Sequence, residues 1–230
     1  MTPRPLSPSH LIVVAESHVG YGEDHPGRSR GRLVHGWLQQ VGIAEGAARD
    51  MAWDTAFVHH VGYWSQFDRR YCRSSWPLPL TASRAELASF AAEEGVLAEH
   101  PVEGDLFLLW SPAKKAFVRT GIVVQIEGKG YHANQEPWYE CTTIEGDTNR
   151  WRVSRGGRTL LQHRVLSAEC QDRFVRWTAL EPGELGASRV DVANPDIEST
   201  GKERLRRIYM EELGTDEDDD QRAAELRWAA

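Results

Sequence analysis

Three kinds of side chain in this sequence could take part in hydrolytic chemistry. Cys72 lies among three arginines, whose positive charges lower the pKa of a thiol, and His59 and His60 precede it on a predicted helix. A thiolate beside an imidazole is the arrangement of a cysteine nucleophile. The carboxylates Asp54 and Glu145 offer a second arrangement, one that could act on an amide or a glycan. The simpler interpretation is that Cys72 is a partly buried loop thiol and that both histidines are core or surface residues.

Metal or cofactor chemistry is not indicated. Five side chains could supply metal ligands, but no two of them have a specific ligand spacing with a third partner; they are Asp54, His59, His60, Glu145 and Asp147. The sequence also lacks a phosphate-binding loop, a G-x-S-x-G nucleophile elbow and a nucleotide-binding fingerprint. The sequence therefore predicts no metal and no cofactor.

The tryptophan content allows two interpretations. The chain has nine tryptophans, and five of them are candidates for a binding surface: Trp53, Trp64, Trp76, Trp110 and Trp138. These rings could line a sugar-binding groove, or they could simply fill the core. The pattern alone leaves both interpretations open.

The residue pattern divides the chain into helices followed by strands. Apolar spacing predicts helices near residues 8–20, 30–41, 53–67 and 83–94, the last with a capping box at Ser83 and Glu86. Segments rich in branched and aromatic residues predict strands near 105–110, 116–126, 138–144, 159–166 and 173–177. Helices followed by a run of strands indicate an α+β fold, with an antiparallel sheet of about five strands.

Four sequence blocks, in this order, resemble those of CHAP domains, the papain-like, NlpC-type peptidoglycan amidases and endopeptidases. The first is EDHPGRSRG at 23–31, followed by a helix and MAWDTAFV at 51–58. The others are PVEGDLF at 101–107, RTGIVV at 119–124 and TIEGDTN at 143–149. The resemblance covers residues 10–166. It implies a papain-like fold in which the helix beginning near Trp53 carries the active site.

The resemblance also implies that the catalytic residues have been replaced. Asp54 occupies the position of the nucleophilic cysteine and Arg119 that of the catalytic histidine, whereas Glu145 keeps the polar third position and Asp147 replaces an asparagine. A carboxylate attacks amides poorly, and arginine, with a pKa above about 12, does not shuttle protons. The resemblance thus predicts no catalytic residue at this degenerate site. It assigns Trp53, Asp54, Arg119 and Glu145 to binding, and Cys72 is the alternative nucleophile.

The pair of substitutions suggests an ion pair across the former active site. Asp54 and Arg119 replace a thiolate and an imidazolium with permanently charged equivalents, so we expect a salt bridge between them. The plainer alternatives are a helix N-cap for Asp54 and a solvent-facing strand residue for Arg119. Glu145 could be an ordinary turn carboxylate and Asp147 an Asx-turn residue.

Charge and composition constrain the partners. The formal net charge is −7, and residues 181–230 hold 14 acidic and 7 basic residues, so the excess lies in this tail. A neutral body without a basic stripe disfavours nucleic acid and anionic membranes as partners. The change in pattern and charge predicts an acidic helical extension at 181–230, able to dock on the body or on a partner. The resemblance implies that residues 1–180 form the CHAP-like domain.

These observations favour a pseudoenzyme that binds a peptide, a glycopeptide or a protein partner. The alternatives are an active cell-wall hydrolase with a rearranged site, and an effector or structural protein of a phage or secretion system. Three cysteines and the lack of a signal-peptide pattern predict a cytoplasmic protein, with export by a route independent of a signal peptide or by phage lysis left open.

Overall fold

A computed structural model describes residues 6–23, 31–44, 52–65, 76–148 and 157–180. Four helices precede the sheet: α1 Pro8–Glu16, α2 Arg32–Gln40, α3 Asp54–Ser65 and α4 Arg84–Glu93. Six strands follow: β1 Leu97–Ala98, β2 Leu106–Ser111, β3 Ala116–Tyr131, β4 Pro137–Thr148, β5 Arg158–Ser167 and β6 Arg173–Val175. A short 3₁₀ helix, Trp177–Ala179, ends the described part. The α+β prediction is confirmed, with one more strand than expected, because the two-residue β1 is too short to give a pattern.

Local sequence signals explain where α1 and α4 begin. The Ser7 side chain accepts a hydrogen bond from the His10 amide, and that of Ser83 accepts one from the Glu86 amide. In a capping box the Glu86 carboxylate would accept directly from the Ser83 amide, but here a third residue takes part. The Ser83 amide donates to the hydroxyl of Thr81, which in turn donates to the Glu86 carboxylate. The extra hydroxyl therefore lies between the two groups that would otherwise meet.

Helix α3 is the central element of the fold. Residues 54–62 and Ser65 are all buried, and the helix contacts α1, α2, β3 and β4. A helix that is buried on every side is typical of a core position rather than of a surface layer. Gly62 allows close packing, since a Cβ there would lie 2.3–2.5 Å from atoms of the Trp76 ring. The helix is thereby packed closely on Trp76 near its C-terminal end.

The sheet is antiparallel and strongly curled. Its strand order is β1-β6-β2-β3-β4-β5, which puts β5 four places from β6, about 19 Å apart in a flat sheet. Residues 168–172 alone connect the two strands, and they form turn bonds back to the Ser167 carbonyl. The Asp172 carboxylate accepts hydrogen bonds from the amides of both Trp110 on β2 and Ser167 on β5. These contacts require the sheet to curl so that the end of β5 approaches β2.

The two faces of the sheet bury separate apolar clusters. Leu106, Leu108 and Ile144 face the helices and join the larger core. The intervening side chains face the other way and form a second cluster: Phe107, Val123, Tyr139, Cys141, Leu166 and Phe174. Alternation along each strand therefore decides whether a side chain faces the helices or the second cluster.

The chain divides into two compact units, Met1–Arg189 and Val190–Ala230. The acidic extension predicted at 181–230 lies outside the described residues, so it stays a prediction. Among the described residues, the helices are too short or too polar to cross a membrane.

Candidate functional site

Asp54 is the first residue of α3, at the place that the sequence assigned to a former nucleophile. Its side chain is fully buried, and both carboxylate oxygens are held by a guanidinium: Arg84 Nε donates at 2.7 Å and Arg84 Nη2 at 2.6 Å. The amides of Thr55 and Thr120 donate to the same carboxylate at 3.0 and 2.9 Å. Four donors, two of them charged, fix the ionised carboxylate in place.

The expected ion pair between Asp54 and Arg119 is wrong. Asp54 pairs with Arg84, whereas Arg119 donates through Nη1 to the carbonyl oxygens of Gly146, at 3.4 Å, and Asp147. The pairing register between β4 and β5 shifts between Glu145 and Thr148, which leaves the carbonyls within the bulge available as acceptors. Arg119 therefore ties β3 to this bulge, and α4 supplies the counter-charge that the sequence interpretation assigned to β3.

Glu145 belongs to a different cluster. Arg164 on β5 donates to it twice, at 2.6 Å each, and the Thr143 hydroxyl donates at 2.8 Å. Its neighbour Ile144 packs with the helices, so Glu145 points to the opposite face of the sheet. The side chain is fully buried. The structure therefore separates Glu145 from Asp54, and the two carboxylates do not face one substrate site.

Asp147 lies near Asp54, and the pKa of its carboxyl group is strongly raised. Its pKa is raised to about 7, first by burial and next by the negative charges of Asp54 and Glu23, while the guanidinium groups of Arg119 and Arg84 oppose the rise. Its φ of 52° lies in the left-handed region. A Cβ on Gly157 would come within 2.4 Å of the Asp147 carboxylate, so the glycine makes room for it. This carboxyl can gain and lose a proton near neutral pH.

Trp53 supports the site from beneath. The indole is fully buried, packs on Trp37 with ring centroids 5.3 Å apart, and donates from Nε1 to Glu23 at 3.1 Å. Trp76 is also buried in the larger core. These two tryptophans are core residues, so the interpretation of the tryptophans as a sugar-binding groove is wrong for them.

Of the four predicted binding residues, only Arg119 retains exposed surface; Trp53, Asp54 and Glu145 are fully buried. Glu23 and Asp147 are also partly exposed. The sequence interpretation missed Glu23 and Arg84 as members of the site. A capping signal placed Arg84 at the start of α4, but nothing in the spacing linked it to Asp54, 30 residues earlier.

The histidines proposed to assist Cys72 have other partners. His59 Nδ1 accepts from the Trp76 indole at 3.0 Å, and His60 contacts His18, with Nε2 atoms 3.2 Å apart. Both histidines are buried within α3. Cys72 itself lies outside the described residues, so its role as an alternative nucleophile stays a prediction.

The described residues contain no group of three or more histidine, cysteine, aspartate or glutamate side chains that could hold a metal ion. The cluster around Asp147 instead combines three carboxyl groups, those of Asp147, Asp54 and Glu23, with the guanidinium groups of Arg119 and Arg84. Comparisons with protein-family models, curated proteins and solved structures find no significant match to this chain.

Proposed function

We propose that the protein is a catalytically inactive, CHAP-like homologue of peptidoglycan amidases, with a papain-like fold, that works as a binding or assembly module. Its ligands would be peptides of the peptidoglycan type, glycopeptides or a segment of a protein partner. The proposal rests on the sequence blocks, on the helix-before-sheet order and on the position of Asp54 at the start of a buried central helix.

One observation carries the loss of catalysis. The Asp54 carboxylate is fully buried and saturated by four donors, so it has no free lone pair directed at a substrate. A nucleophile or general base must reach the reacting atom within hydrogen-bond distance. Arg119 occupies the position of the former histidine and does not exchange protons near neutral pH. The two replacements stabilise the fold where the amidase would need reactive groups.

The partly exposed groups of the same cluster supply the binding surface. Arg119 brings a guanidinium, which suits a ligand carboxylate, and Asp147 and Glu23 bring carboxyl groups that suit a ligand amine. Peptidoglycan stem peptides carry both kinds of group. The raised pKa of Asp147 makes the attraction for an amine depend on pH, stronger above about pH 7 than below it.

Calorimetric titration with purified peptidoglycan stem peptides tests the binding, and an amidase assay on the same fragments tests the chemistry. We expect wild type to bind without cleaving, and Arg119→Gln to bind roughly tenfold more weakly, which corresponds to about 1.4 kcal/mol for one charge-assisted contact. Arg176→Gln is the matched control, because Arg176 lies on another ion pair, with Asp105 at 3.1 Å.

The outcomes separate the functional classes. Cleavage by wild type that disappears in Cys72→Ser would establish an active hydrolase and overturn the proposal. Absence of both binding and cleavage would remove peptidoglycan peptides as ligands. Turnover gained by the double variant Asp54→Cys, Arg119→His would show that the binding surface still places an amide over the former nucleophile position.

A further inference from the structure

One edge of the sheet carries backbone groups that bond to nothing in the described chain. β5 is the last strand in the sheet order. At its start, the Thr159 amide donates to the Tyr21 carbonyl at 2.7 Å and the Thr159 carbonyl accepts from the Gly20 amide at 2.8 Å. At its end, the Ser167 amide donates to Asp172 Oδ2, and the Ser167 carbonyl accepts from the Asp172 amide. Both residues therefore direct their backbone groups away from β4.

The residues between these two ends follow by alternation. In an antiparallel ladder, every second residue points its N–H and C=O to the same side. Thr159 and Ser167 are an even number of residues apart, so the outward-pointing residues between them are Leu161, His163 and Val165. Within the described residues, no backbone–backbone hydrogen bond outside the regular elements reaches these three. The Leu161 carbonyl accepts a hydrogen bond from the exposed side chain of Gln162, whose Nε2 lies 3.0 Å away. Three donors and two acceptors are thus open along this edge, and the third acceptor is held only by a surface side chain.

The side chains of the same three residues are also open to solvent. Leu161 is 50% exposed, Val165 62% and the His163 side chain 80%. They lie on one face, opposite Ile144, Thr142 and Glu140 of β4 in the ladder. Exposed apolar residues beside unpaired strand groups are a feature that natural sheets usually protect with charges, prolines or a covering segment. At this window the described chain provides neither a proline nor a covering segment, and the nearby charges are the carboxylates of Glu127 and Glu140.

We propose that Leu161, His163 and Val165 form a docking site for an extended segment of a protein partner, which adds to β5 as a further strand. A row of unpaired donors and acceptors is complemented by another extended backbone, which is the basis of β-strand addition in peptide recognition. The chain already continues the sheet this way at the start of β5, where Gly22 forms a bridge with Arg158. The site is separate from the Asp54 cluster and goes beyond the proposed function.

The geometry of the window selects a short segment rather than a second copy of this chain. Pairing β5 with β5 of a second molecule would need the whole edge, but Gly20–Gly22 occupies it at one end and residues 168–172 at the other. The open stretch, residues 161–165, is about 17 Å long at the usual rise of an antiparallel strand. A partner segment of about five extended residues fits between the two ends.

Neighbouring charges select the central residue of that segment. The carboxylate Oε2 of Glu127 lies 3.4 Å from His163 Nδ1, and Glu140 is the direct cross-strand neighbour of Val165. These two carboxylates make the middle of the window acidic. The partner should therefore carry a basic residue opposite His163, with apolar residues opposite Leu161 and Val165.

Amide hydrogen exchange on the full chain, measured by NMR, tests the site with the probe peptide acetyl-Val-Thr-Lys-Thr-Val-amide. We expect the amides of Leu161, His163 and Val165 to exchange fast in the free protein and at least threefold more slowly with the probe at millimolar concentration. The same peptide with glutamate in place of lysine should bind several-fold more weakly. A peptide N-methylated at its edge-facing amides should not slow exchange at all.

Two variants of the chain complete the test. His163→Pro removes an outward N–H without breaking a bond to β4, a substitution that edge strands tolerate, and should abolish the protection. His163→Thr keeps the backbone donor and should retain it. Slow exchange of the three amides in the free protein would show that the edge is already covered and would overturn the proposal. Protection that persists in His163→Pro, or with the N-methylated probe, would also overturn the proposal. The same holds if no probe protects these amides. If His163→Pro does not fold, the N-methylated probe gives the same decision. Arg119→Gln, which tests the Asp54 cluster, should leave the protection of the β5 amides by the probe unchanged.

Discussion

Acid should destabilise this protein more steeply than its aspartates and glutamates alone would cause, because three histidines are buried without charge. His18 Nδ1 donates to the Val14 carbonyl at 2.7 Å, so its Nε2 must accept the hydrogen bond from His60 Nε2 at 3.2 Å. The Gln40 side-chain oxygen Oε1 lies 3.1 Å from His60 Nδ1. With both rings neutral, His60 Nδ1 is an acceptor, so the Gln40 amide must be turned to present its nitrogen there. The contact between the two Nε2 atoms excludes a proton on both of them at once, because one of the two must accept.

The direction of the pKa shifts agrees with this bonding. Burial lowers the pKa of His59 to about 3 and that of His18 below its ordinary value of 6.5. Burial, and then the proximity of His18, lowers the pKa of His60 well below that value. Each of the three therefore binds its proton more weakly in the folded chain than in the unfolded chain, where the ordinary pKa is about 6.5. Stability is present above that pH and is lost as the pH falls.

The magnitude follows from proton linkage. Each excess proton in the unfolded state costs about 1.4 kcal/mol per pH unit. Between pH 6 and pH 5, His59, with a pKa of about 3 in the folded chain, contributes about this amount. Asp147 acts in the opposite sense with a similar magnitude, because its raised pKa gives the folded state one extra proton between pH 3.8 and about 7. His18 and His60 add to the loss in the same direction as His59. The net expectation is therefore a loss in the free energy of unfolding between pH 6 and pH 5, carried by His18 and His60.

Urea denaturation followed by tryptophan fluorescence at pH 7, 6 and 5 measures this loss. His60→Gln keeps a donor for His18 and should reduce the loss per pH unit. Asp147→Asn removes the opposing group and should increase the loss by about 1.4 kcal/mol per pH unit. Equal stability at pH 7 and pH 5, or the same pH dependence in wild type and His60→Gln, would refute the reasoning.

Two further predictions concern packing and charge around α3. Arg84→Met should lower the free energy of unfolding by about 3–5 kcal/mol, because it leaves the fully buried Asp54 carboxylate without its counter-charge. The double variant Arg84→Met, Asp54→Asn should recover part of this loss. A loss below about 1 kcal/mol for Arg84→Met in urea titration would contradict the buried pair. Gly62→Ala should lower the free energy of unfolding by about 1–3 kcal/mol, since the new methyl group meets the Trp76 ring. Gly128→Ala is the control and should lower it less, because its methyl group meets only the movable end of the Glu140 side chain. Equal losses for the two variants in thermal unfolding would count against the close packing on α3.

Local patterns were enough to predict the order of helices and strands. Apolar spacing predicted α1 to α4, with a capping box at the start of α4, and branched residues bounded by turns predicted β2 to β6, because these signals are local in the chain. The two-residue β1 escaped prediction, since it is defined only by its pairing with β6. The curl of the sheet was also beyond local patterns, because it depends on the short connection from β5 to β6.

The sequence by itself shows Asp54 and Arg119 at the two positions that the resemblance to CHAP domains assigns to the catalytic cysteine and histidine, and that assignment stays a prediction. Only the tertiary structure decided their partners. Arg84 comes from another helix and Asp147 from a β-bulge, and strand alternation turns Glu145 to the opposite face, where Arg164 binds it. Charges pair with whatever the fold brings within about 3 Å, and spacing along the chain does not report that distance.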